Sequence, residues 1–256
     1  MRSLPFRGAI FSFVILAMAM SGLAVASDDT SLHHESAATP SSIVIGFVGG
    51  FVGHDNPYQG PVQLAERIRT AFPQGTYVQV FENRRRKQAY ETIVHLLDAN
   101  HDGVLSPKEK AHARIIIFGH SWGAATVVLL ARDLRRGGIP VALTVQVDSV
   151  AKLWQNDSVI PDNVAEAVNF YQPHGFVHGR KRITAADPAK TQILGNYLLD
   201  YKNSAVECPG TNWADHFFTP GHTRSQCDPQ LWAQVESIVR QRLSPETASS
   251  TPGIQP

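Results

Sequence analysis

Short apolar runs alternate with amphipathic stretches along residues 42–243, and this alternation limits the chain to few folds. Runs such as IVIGF, RIIIF and VALTVQV have the length and β-branched content of buried strands. The stretches between them repeat apolar residues at helical spacing. We predict strands at 43–47, 77–81, 114–118, 141–147 and 167–171. We predict helices at 62–72, 85–97, 124–136 and 229–243. This order indicates one α/β domain over 42–243 with a doubly wound, mostly parallel sheet.

The N-terminal residues have the layout of a secretory signal peptide. Arg2 and Arg7 precede an apolar run over 9–20, and small residues follow at 24–26. The run is short for a membrane span, so we predict a signal peptide over 1–26, cleaved after Ala26, rather than a stable membrane anchor. The polar segments 27–41 and 244–256 predict a flexible lead-in and a disordered tail. We therefore expect a secreted or periplasmic protein.

Charge and cysteine content narrow the class further. The chain has 23 basic and 22 acidic residues, which argues against a nucleic-acid binder. Cys208 and Cys227 are the two cysteines, and export would place them where such a pair oxidises. We predict a disulfide that stabilises the fold by roughly 3 kcal/mol. The alternative is two unpaired buried thiols; the spacing does not fit a zinc site.

The segment GHSWG at residues 119–123 indicates a catalytic serine. A Gly-x-Ser-x-Gly match alone is weak, because composition produces one in about one chain in ten. Here it lies between the apolar run ending at Phe118 and the helix predicted from Ala124. A serine between a strand and a helix must turn sharply, and glycines permit the close approach of the two elements. We expect Ser121 at the carboxyl end of the sheet and at a helix N-terminus.

With GHSWG in this context, residues 42–243 resemble the α/β-hydrolase superfamily of lipases and esterases. The resemblance implies the chain order nucleophile, acid, histidine. Asp148 ends the strand 141–147 and is the expected acid, although an aspartate before serine is also a common cap. An acid one strand later would fall near Asp187, and Asp157 is a third possibility.

The same resemblance places the catalytic histidine between the last strand and the last helix. We expect His222, which lies close to Cys227, and keep His216 as the alternative. His174 and His178 are spaced like a metal pair, but exposed loop histidines are the commoner explanation.

The resemblance also implies an oxyanion hole made of two backbone amides. Trp122, directly after the nucleophile, is expected to supply one amide. The segment with Gly49 and Gly50 after the first strand has the position of the superfamily's glycine-rich loop, so we expect the other amide at Phe51. The alternative, a phosphate-binding loop, lacks the residues of a nucleotide site. Phe51, Trp122 and Trp154 are candidates to line an acyl pocket, or they are ordinary core aromatics.

Residues 98–109, DANHDGVLSPKE, match the pattern of an EF-hand calcium loop at every constrained position. Such a match arises by chance in about one chain in a thousand, so it is more specific than the serine motif. The expected ligands are oxygens of Asp98, Asn100, Asp102, Val104 (backbone) and Glu109. The loop resembles a single EF-hand with a short exit helix and no second loop, so we expect a structural calcium ion rather than a switch. The alternative is a polar turn that binds no metal.

Together these features predict a secreted serine hydrolase that cleaves a small-molecule or lipid carboxylic ester and is stabilised by calcium. The connection after Asp148 is short, which predicts no large lid domain and favours small or soluble esters. A peptidase, amidase or thioesterase would use the same residues. A non-catalytic, calcium-dependent binding module on this scaffold is the alternative from another class.

Overall fold

The computed structural model describes residues 39–210 and 219–244. The predicted signal peptide, most of the lead-in, almost all of the predicted tail and His216 lie outside the described residues. The strands are β1 Ser42–Val48, β2 Thr76–Glu82, β3 Arg114–His120, β4 Val141–Val147, β5 Val159–Ile160, β6 Val164–Tyr171, β7 Thr184–Ala185 and β8 Gln192–Leu198. The helices are α1 Gly60–Ala71, α2 Arg86–Leu97, α3 Pro107–Lys110, α4 Trp122–Arg136, α5 Pro220–Cys227 and α6 Pro229–Leu243. A single 3-10 turn, Asn83–Arg85, precedes α2.

The main sheet has six strands in the order β2-β1-β3-β4-β6-β8, and every neighbouring pair is parallel. Alternate side chains of each inner strand face opposite sides of the sheet. Ile43 and Ile45 pack in a core with α2 and α4, whereas Val44 packs in a second core with α1 and α6. The predicted doubly wound α/β architecture is confirmed. Within the described chain, the connection from β4 to β6 contains only the short strand β5 and no helical lid.

The strand order reverses between β1 and β3, because the chain adds β2 on one side of β1 and all later strands on the other. In open α/β sheets, ligands bind in the crevice at the carboxyl ends of the strands flanking such a reversal. The residues that follow β1 and β3 are the glycine-rich segment and Ser121, so topology places both candidate elements at one crevice.

Two elements at the C-terminal end of the domain were not predicted. Strand β8 lies at the edge of the sheet, and its residues are exposed or only partly buried. An edge strand does not need a continuous apolar run, and the sequence of β8 has none. Helix α5, with the sequence PGHTRSQC, buries Gly221, Thr223 and Ser225 rather than large apolar side chains. Hydrophobic periodicity cannot detect either element.

The disulfide between Cys208 and Cys227 is present, as predicted. It joins the segment after β8 to the last residue of α5. The described part of the chain contains no helix long and apolar enough to cross a membrane.

Candidate active site

Ser121 lies on a tight turn between β3 and α4. Its backbone has φ 58° and ψ −126°, a conformation that costs a non-glycine residue about 1–3 kcal/mol. The turn closes only because its flanking residues are small: a β-carbon on Gly123 would lie 2.7 Å from the Phe47 carbonyl carbon, and one on Gly119 would lie 2.7 Å from the Gly123 carbonyl carbon. The strand runs two residues further than predicted, through His120. The fold therefore holds the serine side chain at the carboxyl edge of the sheet, as the sequence predicts.

The structure brings Ser121, His222 and Asp148 into one hydrogen-bonded line. The His222 Nε2 atom lies 2.8 Å from the Ser121 hydroxyl oxygen. The His222 Nδ1 atom lies 2.6 Å from an Asp148 carboxylate oxygen. Both distances are within hydrogen-bond range, although these residues are 101 and 74 positions apart in the chain.

Asp148 is completely buried at the end of β4. Its carboxylate accepts hydrogen bonds from the Gln172 backbone amide (3.2 Å), the Gln172 side-chain amide (3.0 Å) and the Gly179 backbone amide (2.6 Å). Burial by itself raises the pKa of Asp148. The hydrogen bond from His222, the positive charge of His222 and the hydrogen bond from the Gln172 amide together hold that pKa below its usual value. The carboxylate therefore stays ionised and fixes the imidazole through Nδ1.

His222 lies in the first turn of α5 rather than in a loop. The Thr219 backbone precedes this helix, and the disulfide holds its last residue, Cys227. The side chain of His222 is 14% exposed, so part of it remains accessible to solvent.

A second histidine, His120, lies beneath the site and was not predicted. Its ring centroid is 4.8 Å from that of His222, and its Nε2 atom is 3.0 Å from the Ser225 hydroxyl oxygen. That hydroxyl donates to the His222 backbone carbonyl at 2.8 Å. Burial, and after it the neighbouring His222, lower the pKa of His120 to about 3 despite the nearby Asp148. His120 is therefore neutral and packs against His222 without adding positive charge.

The segment after β1 lies directly against the serine. A β-carbon on Gly49 would be 2.7 Å from the Ser121 β-carbon. The Asn83 side-chain amide donates to the Gly50 carbonyl at 2.6 Å. The carbonyl of Gly50 and the amide of Phe51 belong to one trans peptide and point in opposite directions. By holding the carbonyl, Asn83 fixes the direction of the Phe51 amide.

Neither predicted oxyanion amide is used inside the fold. Across residues 39–210 and 219–244, the backbone amides of Phe51 and Trp122 donate to no protein acceptor. The Lys152 ammonium donates to the Asn83 side-chain oxygen at 3.1 Å and lies 4.6 Å above the Trp122 ring. Lys152 and Asn83 thus form a line of hydrogen bonds that ends at the Gly50–Phe51 peptide. The sequence did not predict this arrangement.

The aromatic residues around the site are on the surface. Phe51 is 85% exposed and Trp154 is 99% exposed, so the interpretation of these two as core aromatics is wrong. The Phe51 ring packs edge-on against Trp122 with centroids 5.4 Å apart. Such exposure places the side chains of Phe51 and Trp154 on an open rim rather than in an enclosed acyl pocket.

The alternative acids Asp157 and Asp187, and the pair His174 and His178, make no hydrogen bond to Ser121 among the described residues. Asp157 is buried and binds the Arg180 guanidinium at 2.8 Å and the Ser149 hydroxyl at 2.7 Å. Asp187 accepts a hydrogen bond from the Ala189 backbone amide in an exposed turn. His174 lies 3.6 Å from the exposed Asp200 carboxylate, and His178 is exposed. Neither histidine of this pair contacts Ser121.

The acidic loop lies at the other end of β3, in the connection from α2. Its side chains bind amides of the loop itself: Asp98 accepts from the Gly103 amide at 3.0 Å, and Asp102 accepts from the Val104 amide at 2.7 Å. Glu109 accepts from the amides of Ala99 (3.1 Å) and Ser106 (2.8 Å).

Two features of this loop bear on a metal ion. The second carboxylate oxygen of Asp98 is buried and has no hydrogen-bond partner among the described atoms. Gly103, at the sharp turn of the motif, has φ 78°. No three His, Cys, Asp or Glu side chains of the described chain converge closely enough to hold a metal ion in this arrangement. The oxygen donors of this loop fit a hard cation in their chemistry, and ligation would require them to come closer together.

No protein-family model matches the chain, and no curated protein sequence matches it. Solved structures with similar folds include an arylesterase at 16% identity, which covers 45% of this chain and 38% of its own with a TM-score of 0.30. An acetyl xylan esterase is 13% identical and covers 80% and 99% of the two chains with a TM-score of 0.36. A thermostable esterase from Pseudomonas putida is 11% identical and covers 81% and 76% with a TM-score of 0.44. Because these scores are low, the fold assignment rests on the strand order described above.

Proposed function

We propose that this protein is a serine hydrolase that cleaves carboxylic esters through an acyl-enzyme. The observation that carries the proposal is the unbroken line from the Ser121 hydroxyl through both nitrogens of His222 to the buried Asp148 carboxylate. In this arrangement His222 removes the serine proton as the hydroxyl attacks an acyl carbon. Asp148 keeps the imidazole in the required tautomer and stabilises its cationic form.

Two backbone amides complete the proposed reaction. As the tetrahedral intermediate forms, its negative oxygen needs donors fixed in advance. The backbone amides of Phe51 and Trp122, which donate to no described protein acceptor, would serve as these donors. Protonated His222 then gives its proton to the leaving alcohol, and water releases the acyl group by the same path in reverse.

A serine-directed fluorophosphonate probe tests the proposal. We expect the wild-type protein to be labelled, and Ser121→Ala and His222→Ala to remain unlabelled while they fold normally. His112→Ala is a matched control, because His112 is an exposed histidine at the amino end of β3. A wild-type protein that resists labelling under conditions where it is folded would support the non-catalytic binding module instead.

The choice among ester, thioester and amide requires a substrate panel. No described contact distinguishes the leaving groups of an ester, a thioester and an amide. We base the ester proposal on the exposed position of Phe51 and Trp154 and on the resemblance of the GHSWG turn to that of lipases and esterases. Matched oxygen ester, thioester and anilide substrates with one acyl group would rank the activities. An anilide cleaved faster than its ester would reassign the protein as an amidase.

We also propose that residues 98–109 bind a structural calcium ion. Asp98, Asn100, Asp102, Glu109 and the Val104 carbonyl would hold it, and a bound ion would supply positive charge that neutralises these oxygens. The partnerless buried oxygen of Asp98 supports this, because an unpaired buried carboxylate oxygen is costly. Isothermal titration of metal-free protein with calcium should show one site, and the Asp98→Asn variant should lose it. Equal heats for both proteins would remove the proposal.

We further propose export, with cleavage after Ala26. The charged and apolar pattern of residues 1–26 and the disulfide between Cys208 and Cys227 support it. The mature protein should begin at Ser27 by N-terminal sequencing. An intact N-terminus on a protein retained in the cytosol would contradict export.

A further inference from the structure

Four large apolar side chains are exposed on segments that follow strands of the main sheet, and we call them the apolar rim: Phe51, Leu153, Trp154 and Phe176. Their exposed fractions are 85%, 86%, 99% and 86%. Soluble proteins rarely gather such side chains on one surface unless that surface binds something. They come from the segments that follow β1, β4 and β6, whose carboxyl ends meet at the edge of the sheet that carries Ser121.

Leu153 and Trp154 occupy the tip of a tight turn that the fold stabilises. The Gln155 backbone amide donates to the Lys152 carbonyl at 3.0 Å, and the Lys152 amide donates to the Gln155 side-chain oxygen at 3.1 Å. Trp154 has φ 69°, which is unfavourable for a bulky side chain. The chain therefore maintains a strained turn whose two central side chains point into solvent, and no packing gain inside the protein offsets that strain.

This turn is physically connected to the catalytic residues. The Val150 amide donates to the Ser121 carbonyl at 3.2 Å. The Trp122 ring contacts the Phe51 ring and lies under the Lys152 ammonium, which joins both parts of the rim. A surface that receives the rim would lie at the edge of the sheet that carries Ser121.

The rim is accompanied by positive charge. Segments 149–156 and 172–183 contain Lys152, Arg180, Lys181 and Arg182 and no acidic residue. The buried Asp157 neutralises Arg180, which leaves an excess of three cations in these segments, whereas the whole chain has a net charge of +1. Lysine and arginine beside tryptophan and leucine suit the boundary of an anionic lipid layer, where apolar tips enter and cations remain with the head groups.

We propose that the apolar rim docks the protein on an anionic lipid–water interface. The Leu153–Trp154 turn enters the layer, and Phe51 and Phe176 lie at its boundary. The cations Lys152, Lys181 and Arg182 contact the anionic head groups. Docking would deliver esters from the layer to Ser121, a consequence that rests on the proposed function. The docking itself is independent of hydrolysis.

Sedimentation with lipid vesicles tests the docking without turnover. Ser121→Ala protein should bind phosphatidylglycerol vesicles, bind phosphatidylcholine vesicles at least about tenfold more weakly, and be released by salt. The double variant Leu153→Ser, Trp154→Ser in the same background should bind phosphatidylglycerol at least about tenfold more weakly. Its unfolding temperature should not change, since both side chains are outside the core.

Leu198→Ser is the matched control, because Leu198 is 57% exposed at the end of the edge strand β8 and lies outside the apolar rim. It should retain full vesicle binding. Equal binding to both lipids would overturn the anionic assignment. Absence of vesicle binding, or unchanged binding by the double variant, would overturn the docking proposal and leave a protein partner as the occupant to seek. Hydrolysis of a soluble short-chain ester by the double variant in an otherwise wild-type protein would show that the catalytic proposal stands separately.

Discussion

The two ends of strand β3 organise their polar groups in opposite ways. At the carboxyl end, Ser121, Asp148 and His222 come from distant parts of the chain and already satisfy one another. At the amino end, the acidic residues of 98–109 are neighbours in sequence, yet they bind loop amides and leave one Asp98 oxygen unpaired. The first site is fixed by the fold and the second is fixed only by its own turns. We therefore expect substitutions at the first site to change rate and at the second to change stability.

The largest effect that tests this contrast is expected for Asp148→Asn. An asparagine keeps the shape but cannot hold the reactive imidazole tautomer, so kcat should fall by about 10⁴-fold. Ester hydrolysis and thermal unfolding measured on the same sample would separate rate from stability.

Asp157→Asn is the matched control for that variant. Asp157 is an equally buried carboxylate nearby, but it pairs with Arg180 and lies outside the proposed reaction path. Removing its charge leaves the guanidinium unpaired and should lower the unfolding temperature while kcat changes little. A large loss of kcat in Asp157→Asn with a normal unfolding temperature would show that the acid is assigned to the wrong residue.

A smaller loss is expected for Asn83→Ala, which releases the Gly50 carbonyl. The Phe51 amide would then lose its fixed direction, and kcat should fall by about 10- to 100-fold with little change in KM, because the lost interaction acts mainly in the transition state. Steady-state kinetics with a soluble ester measure both constants.

The Asn163→Ala variant provides the comparison. Asn163 also donates its side-chain amide to two carbonyls, those of Ala131 (3.1 Å) and Ile139 (2.9 Å), but at the far end of the sheet. It should lose stability and keep kcat. Equal kcat values in the two variants would remove Asn83 from the positioning of the oxyanion hole.

Sequence reasoning reached those features of the site that are encoded locally. The apolar run before Gly119 and the helix after it identify the position of Ser121, and the end of a strand identifies Asp148. The superfamily order then suggested His222. Ser121 and Asp148 were expected to lie close together because the carboxyl ends of parallel strands share one edge, whereas the position of His222 followed only from the resemblance.

Features that depend on how separate segments pack were not anticipated. Asn83, Gln172 and Gly179 act through contacts between loops that carry no periodic signal. Helix α5 has polar buried residues, so its existence, and with it the stacking of His120 on His222, could not be derived from hydrophobic pattern. The exposure of Trp154 was also not predicted, because tryptophan side chains are buried to a large extent on average.

At the acidic loop, removal of calcium is expected to affect stability rather than rate. An ion present at about 100 times its Kd adds roughly 2.7 kcal/mol, which corresponds to about 5–10 °C in Tm for a domain of this size. Chelator should lower Tm by that amount and leave kcat at 25 °C unchanged.

Glu109→Gln should abolish the calcium response, because it removes the bidentate carboxylate of the motif. Glu91→Gln serves as its control, since Glu91 pairs only with Lys87 on the exposed face of α2. Loss of kcat on chelation at a temperature where the fold is intact would show that the two ends of β3 are coupled, and would break the contrast.

The smallest expected effect concerns His120, which gives the serine end its own dependence on pH. Its folded pKa of about 3 lies below the unfolded value of about 6.5, so the folded state binds fewer protons between these values. The contribution of neutral His120 to the free energy of unfolding is fully present above pH 6.5. It is lost as the pH falls toward 3, by at most about 1.4 kcal/mol per pH unit. Asp148, Glu82, Glu109 and Asp162 also have lowered pKa values and add their own losses as the pH falls toward about 4. These groups are common to the variant and the wild type, so the difference between their slopes from pH 6.5 to 4.5 reports His120. We expect His120→Gln to flatten the decline of Tm over this interval, whereas the exposed His178→Gln should leave the slope unchanged. An identical slope in His120→Gln and wild type would mean that burial does not lower the pKa of His120. The ring would then be protonated in the folded protein below about pH 6.5, where a cation stacked on His222 would oppose the protonation that the proposed mechanism requires.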